Sequence, residues 1–369
     1  MIVIDHDIHP VGYHEARQST LAPPFASFLR TPVVLAIALA FACTCKPRPA
    51  ESGDALPQAS TVDASTAALT TDPVAPRDVA GSTRTVGPGF PTAGPWVSCY
   101  GTAAQMGDLA KVARAYRIIN IDVDPGAGNF NDEQLRVLRA GGTNRILSYF
   151  NIGACEHFRT YWASAPPGIS SCSANKAAHR GSYEGYPDET WMDLGDENYQ
   201  KLLLDYVAPR LAARADGFYL DNLEILEHPP TSSNGPCTPA CRQGGMDFVR
   251  KLRAKFPKHL IVMQNATSDV TRTGTTGGVR FATLLDGIAH EEVFAPKHDT
   301  SAEAELLAWK AMGLASEDGR PFWIAVEDYV GSCGNKAAAH AAFAKARARG
   351  FSPYATDESG AQKTVCYWE

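Results

Sequence analysis

Several common functional signatures are missing from this 369-residue chain. No Gly-x-Gly-x-x-Gly fingerprint or phosphate-binding loop follows any strand-like run, so dinucleotides and nucleoside triphosphates lack their usual cradle. No Lys/Arg cluster marks a phosphate-binding face. The net charge of -6, from 34 basic and 40 acidic residues, is too mild to favour nucleic acid. No His-x-His follows the first strand-like run, and no strand-like run ends on His, so the usual ligands of a barrel metallohydrolase are missing. The apolar run Val33–Cys43 is too short to cross a bilayer. Neither a cofactor nor a metal is expected.

That short run instead has the form of a signal segment, with Arg30 ahead of it. Ala42 before Cys43 points to acylation of Cys43 and membrane attachment; plain cleavage and release is the alternative. Residues 1–45 are therefore read as an N-terminal extension with a signal or lipoprotein segment. Residues 46–95 are rich in Pro, Ala, Thr, Ser and Gly, with Phe90 their one aromatic. Such composition buries too little apolar surface to offset its ordering entropy and reads as a disordered linker. The expected protein is a monomer, exported to the cell envelope or beyond.

Cysteine usage agrees with export. Beyond Cys43 and Cys45 there are seven: Cys99, Cys155, Cys172, Cys237, Cys241, Cys333 and Cys366. In an oxidising compartment these read as disulfides. The expected pairs are Cys155–Cys172, Cys237–Cys241 and Cys333–Cys366, leaving Cys99 over. Half a zinc site at Cys237-x-x-x-Cys241 is the rival reading, with no second Cys-x-x-Cys or His-x-x-x-His to complete it.

From residue 96 to 369 strand-like and helix-like segments alternate. Strands are expected at 96–100, 117–124, 145–153, 217–224, 260–265, 284–291, 321–328 and 351–357, with helices between most of them. Their hydrophobicity is continuous rather than alternating, which implies a parallel sheet covered on its outer face. Eight such units predict an α/β fold, a (β/α)8 TIM barrel, in one domain over 96–369.

Two of these runs, Gly217-Phe218-Tyr219-Leu220-Asp221-Asn222 and Leu285-Asp286-Gly287-Ile288-Ala289-His290-Glu291, end on acids. Burying an uncompensated carboxylate costs several kcal/mol, so repeated strand-end acids belong at the mouth of a core. Two acids facing one cleft are the minimal equipment for cleaving a glycosidic bond. Asp122 and Asp124 alternate onto one face and either line that cleft or form salt bridges inside the barrel. Glu156 and Arg159 either frame a sugar site or tie down a loop. Tyr149, Asn265, Tyr329 and Tyr354 stand where they can offer stacking faces and polar partners, and Glu327 closes the seventh strand. His290 and Trp191 are read as structural.

Gly185-Tyr186-Pro187-Asp188-Glu189-Thr190-Trp191-Met192-Asp193-Leu194 is similar to a Gly-aromatic-Pro-x-Glu-x-Trp-Leu-Asp segment of the GH114 glycoside hydrolases, the endo-α-1,4-polygalactosaminidase family. Ile152–Arg159 resembles that family's strand-three Gly-x-x-Glu-x-x-Arg. Asp221-Asn222, Gln264-Asn265 and Glu291-Glu292-Val293-Phe294 resemble its strand ends. The resemblance implies a catalytic pair, Asp221 as nucleophile or charge stabiliser and Glu291 as general acid/base. It also implies substrate contacts from Asn222 and the residues above, and a galactosamine-containing α-linked polysaccharide as substrate. A retaining enzyme, with carboxyls about 5–5.5 Å apart, is expected. Two alternatives remain: a surface lipoprotein that binds glycan without cutting it, and a metal-dependent hydrolase using Asp122, Asp124, Asp221 and a His.

Overall fold

The computed structural model describes residues 82–357 and 362–368. The expected signal segment, Cys43 and most of the expected linker lie outside the described residues. Eight strands form one parallel sheet: β1 (Trp96–Cys99), β2 (Ile118–Ile121), β3 (Arg145–Asn151), β4 (Gly217–Asp221), β5 (Leu260–Gln264), β6 (Gly287–Glu291), β7 (Trp323–Tyr329) and β8 (Ser352–Thr356). They pair in chain order from β1 to β8. The sheet curls into a barrel whose remaining seam, between β8 and β1, is spanned by Trp96 Nε1 donating to Ser352 O at 2.9 Å. Strands β1, β2, β5 and β7 are buried along their whole length, which accounts for their continuous apolar character.

Helices cover the outer face, among them Leu109–Ala115, Asp132–Arg139, Pro239–Lys255, Thr300–Ala311 and Lys336–Ala348. Local chemistry sets their ends. Asn131 and Gln134 close a capping box on helix Asp132–Arg139, whose first turn carries Asp132 and Glu133 and whose last turn carries Arg136 and Arg139. Between β3 and β4 the long insertion folds into an antiparallel sheet of Ala154–Glu156, His179–Tyr183 and Tyr186–Met192. Gly153 permits the turn into it, because a Cβ there would lie 1.7 Å from Asn222 O.

All three expected disulfides form, with Cα separations of 6.5 Å for Cys155–Cys172, 5.3 Å for Cys237–Cys241 and 5.0 Å for Cys333–Cys366. Cys99 is free and buried, and its burial pushes the thiol up to about 12.

The linker expectation needs correction at its carboxyl end, because residues 82–95 belong to the packed domain. Arg84–Thr85 pairs with Ala315–Ser316, and Phe90 packs on Trp323 with ring centroids 4.8 Å apart. Gly89 N donates to Asp286 Oδ1 at 2.7 Å, while Arg253 Nη2 holds the other oxygen of Asp286 at 2.5 Å. Composition suggested a chain with nothing to bury. A buried Asp286 at the start of β6 supplies the anchor that composition does not reveal.

Candidate active site

Three neighbouring strands end alike. Asn222 after β4, Asn265 after β5 and Glu292 after β6 have φ of 60°, 60° and 55°, in the left-handed region that turns the chain sharply off the sheet. Asn tolerates that region better than most residues, and a non-Gly cluster of such angles is characteristic of functional sites. The turns leave Asp221 and Glu291 as the last side chains of β4 and β6, at the carboxyl-terminal mouth of the barrel. Along β4 Asp221 shares its face with Tyr219. The charges felt most strongly at the buried Tyr219 hydroxyl, after Tyr100, are those of Glu327, Glu291 and Asp221, so all three acids point into the barrel.

Only β5 separates the two strands, placing their backbones about 10 Å apart at about 4.8 Å per spacing, with both side chains converging inward. The Asp221 carboxyl is pushed up to about 7, by burial first and then by the negative charge of Glu291. The Tyr149 hydroxyl and the Asn222 N–H donate to it and oppose the rise.

Glu291 is surrounded by donors. Asn265 Nδ2 donates to its Oε2 at 2.8 Å, and Asn265 Oδ1 in turn accepts the Glu291 N–H at 3.0 Å. The Tyr329 hydroxyl reaches Oε1 at 2.5 Å, and Gln362 Nε2 reaches the same oxygen at 3.0 Å. Glu327 stands beside Glu291 in the β6–β7 register and is fully buried. Ser98 Oγ lies near it but directs its single hydrogen to Gln362 Oε1 at 2.5 Å. Neither oxygen of Glu327 therefore has a donor among the described residues. Burial, then Glu291, raises it well above the usual carboxylate range.

The acid surplus extends around Asp221. Glu189 is buried, accepting from Asn151 Nδ2 at 3.0 Å and Asn222 Nδ2 at 3.3 Å, and burial, then the charge of Glu156, raises its carboxyl well above normal. Glu224 is raised by burial and next by Asp221, and the Tyr183 hydroxyl faces its Oε1 at 3.4 Å.

The remaining expected site residues divide by position. Tyr149, Asn222, Asn265, Glu327 and Tyr329 gather around the two acids. Asp122, Asp124, Glu156 and Arg159 do not line the open cleft: they are 0, 3, 0 and 5 % exposed. Arg159 ties them together, with Nη1 at 2.8 Å from Asp122 and 3.7 Å from Asp124, and Nε at 2.7 Å from Glu156. Arg210 holds Asp124 from the outer helices at 2.8 Å. The salt-bridge alternative describes this group. Glu156 still acts through space, as one of the charges that raise Asp221.

Tyr354 also departs from expectation. It is 1 % exposed, packs against Trp96 and Tyr116, and its hydroxyl accepts from Cys366 N at 3.3 Å. It lines a cavity of about 410 Å³ at the barrel seam, far from a stacking role at the mouth. The sequence reasoning missed Gln362, Ser98 and Glu224 altogether. Glu189 lay within the Trp191 segment and could have been found there.

A parallel eightfold barrel with converging acids at its carboxyl-terminal mouth is the architecture of a glycoside-cleaving enzyme. The comparisons agree. Residues 91–368 match the model of glycoside-hydrolase family GH114, and the chain belongs to that family. An uncharacterized protein of Deinococcus radiodurans is 25% identical over 232 residues, covering 60% of this chain and 67% of that one. The fold is similar to that of the glycoside hydrolase domain of PelA from Pseudomonas aeruginosa, with a TM-score of 0.55 and 16% identity over 74% of this chain and 98% of that one. It is equally similar to Aspergillus fumigatus Ega3, whose structure holds galactosamine, with a TM-score of 0.54 and 16% identity over 78% and 100%.

Proposed function

We propose that this protein is an exported hydrolase that cuts α-linked, galactosamine-containing polysaccharide with Asp221 and Glu291. The observation that carries the reading is the electrostatic contact between these two acids across one mouth. Export is supported by three disulfides and by the apolar run before Cys43. The substrate class is supported by the acid surplus of Asp221, Glu224 and Glu189, whose nearby cation Arg159 is already bound to three carboxylates. Such a cleft favours sugars bearing free ammonium groups over N-acetylated ones.

In the free protein burial and the charge of Glu291 raise the Asp221 carboxyl to about 7. An ammonium group bound beside Asp221 favours its ionised form. Asp221 Oδ then attacks the anomeric carbon while the glycosidic bond breaks, its electron pair going to the leaving oxygen, which Glu291 protonates. Glu291 next takes a proton from water, the resulting hydroxide equivalent displaces Asp221, and the free sugar leaves with retained configuration.

Asp221→Asn and Glu291→Gln are each expected to lower turnover of de-N-acetylated α-1,4-galactosamine polymer at least about 100-fold. Mass spectrometry of the products, against an N-acetylated polymer in parallel, reads both claims. Near-wild-type rates in both variants rule out the pair; equal cleavage of the two polymers rules out the charge selection.

A further inference from the structure

We propose that Gln362, delivered by the disulfide-anchored C-terminal segment, is a positioning residue for Glu291. The inference rests on the reading of Glu291 as a reacting carboxyl.

Gln362 belongs to no strand or helix, yet it is 2 % exposed. All three polar functions of the residue that the structure pairs are used inside the barrel mouth. Its Nε2 donates to Glu291 Oε1 at 3.0 Å and contacts the Tyr329 hydroxyl at 3.1 Å. Its Oε1 accepts from Ser98 at 2.5 Å, and its backbone carbonyl accepts the Tyr100 N–H at 2.8 Å. Flipping the amide would set Gln362 Oε1 about where Nε2 now lies, 3.0 Å from Glu291 Oε1, and bring two acceptors face to face. The orientation of Gln362 is therefore fixed, with its N–H directed at Glu291. The backbone has φ of 48°, an unfavourable angle for Gln that the surrounding contacts must hold.

Those contacts come from a tail pinned at several points. Cys366 is bonded to Cys333, which follows β7 by four residues, and so ties the tail to the strand that carries Glu327 and Tyr329. Trp368 Nε1 donates to Ala355 O at 2.8 Å, and Tyr116 donates to Cys366 O. One covalent link thus holds Tyr329 and Gln362, two donors to the same Glu291 oxygen, in one assembly. The acids facing this group are Asp221 across the mouth and Glu327 beside it. A fixed neutral donor selects the Glu291 rotamer that points into the cleft without adding a cation that would repel an ammonium sugar.

The test compares Gln362→Ala, Gln362→Glu and the pair Cys333→Ser/Cys366→Ser in the full chain, with de-N-acetylated α-1,4-galactosamine polymer as probe. Gln362→Ala should lower kcat about 10- to 100-fold, the scale of one hydrogen bond to a charged group. KM should stay within about threefold, since the lost contact is to the enzyme rather than to sugar. Loss of a donor disfavours the ionised carboxyl, so the pH–rate profile should move upward by about half to one unit. Gln362→Glu keeps the volume but adds a negative charge, and should move the profile at least as far. A space-filling role predicts a pH–rate profile that Gln362→Ala leaves unmoved, since any new carboxylate at this position shifts it. That result overturns the proposal. The cysteine pair should lower kcat in the same direction, and adding Gln362→Ala to it should cost little more. Fully additive losses refute delivery by the disulfide. Glu291→Gln, run alongside, separates the premises: an active Glu291→Gln refutes the catalytic pair, whereas an inactive one with silent Gln362 variants refutes only the role of Gln362.

Discussion

Replacing Asp221 by Asn probes the electrostatics of the mouth without any substrate. Folding raises this carboxyl from 3.8 to about 7, through burial first and Glu291 second. A carboxyl raised on folding keeps its proton in the native state while the unfolded chain has released it. Stability therefore falls as pH climbs from about 4 to about 7, and the full penalty is present above that window. Three pH units correspond to about 4 kcal/mol at about 1.4 kcal/mol each. Water at the open mouth and proton sharing with Glu291 reduce the observable part to about 1–3 kcal/mol. Asn keeps the shape, and its amide oxygen can still accept from Tyr149 or the Asn222 N–H. Asp221→Asn should thus be more stable than the natural protein by about 1–3 kcal/mol at pH 8 and nearly equal at pH 4. Guanidinium unfolding with the disulfides intact reads this as a midpoint increase that closes on acidification. An equal increase at both pH values, or a loss of stability at pH 8, refutes the reasoning.

Arg159→Leu strips the cation that Asp122 and Glu156 share and should cost about 3–5 kcal/mol, the scale for breaking a buried ion group, read by thermal melting. Gly153→Ala forces a Cβ to 1.7 Å from Asn222 O, so it should destabilise the fold by more than about 3 kcal/mol and lower activity together. Asn265→Ala removes the donor to Glu291 Oε2 and should lower kcat about tenfold or more, with melting shifted far less, as steady-state rates and calorimetry can show. Proton NMR of the first-formed product should show the α anomer, the retained configuration; the β anomer would rule out the double displacement.

The barrel was readable from sequence because its strands are buried on both faces and so appear as continuous β-branched and aromatic runs. Asp221 and Glu291 were readable because acids that end apolar strands carry a chemical signal, whereas Asn222 and Asn265 came from the family resemblance; their left-handed turns appear in the structure alone. Parity along the strand could not settle the rest. Asp122 and Asp124 lie in the turn just past β2, and their partners, Arg159 and Arg210, arrive from the insertion and from an outer helix. Tyr354 sits midway along β8, and the incomplete β8–β1 seam gives its ring a pocket beside Trp96 instead of a place in the mouth. Gln362 has no periodic neighbours at all. Pairing Cys333 with Cys366 implied that the tail returns to β7, but not which side chain it would insert.

Residues 82–95 enter the domain beside Asp286 and Trp323, at the amino-terminal ends of the strands. The carboxylates open on the far rim. The point where the upstream chain joins and the cluster of acids therefore lie at opposite ends of the barrel. Cutting the chain for expression at residue 96 would remove the Phe90 plug and expose Trp323 to water, so a boundary ahead of residue 82 preserves the floor of the barrel.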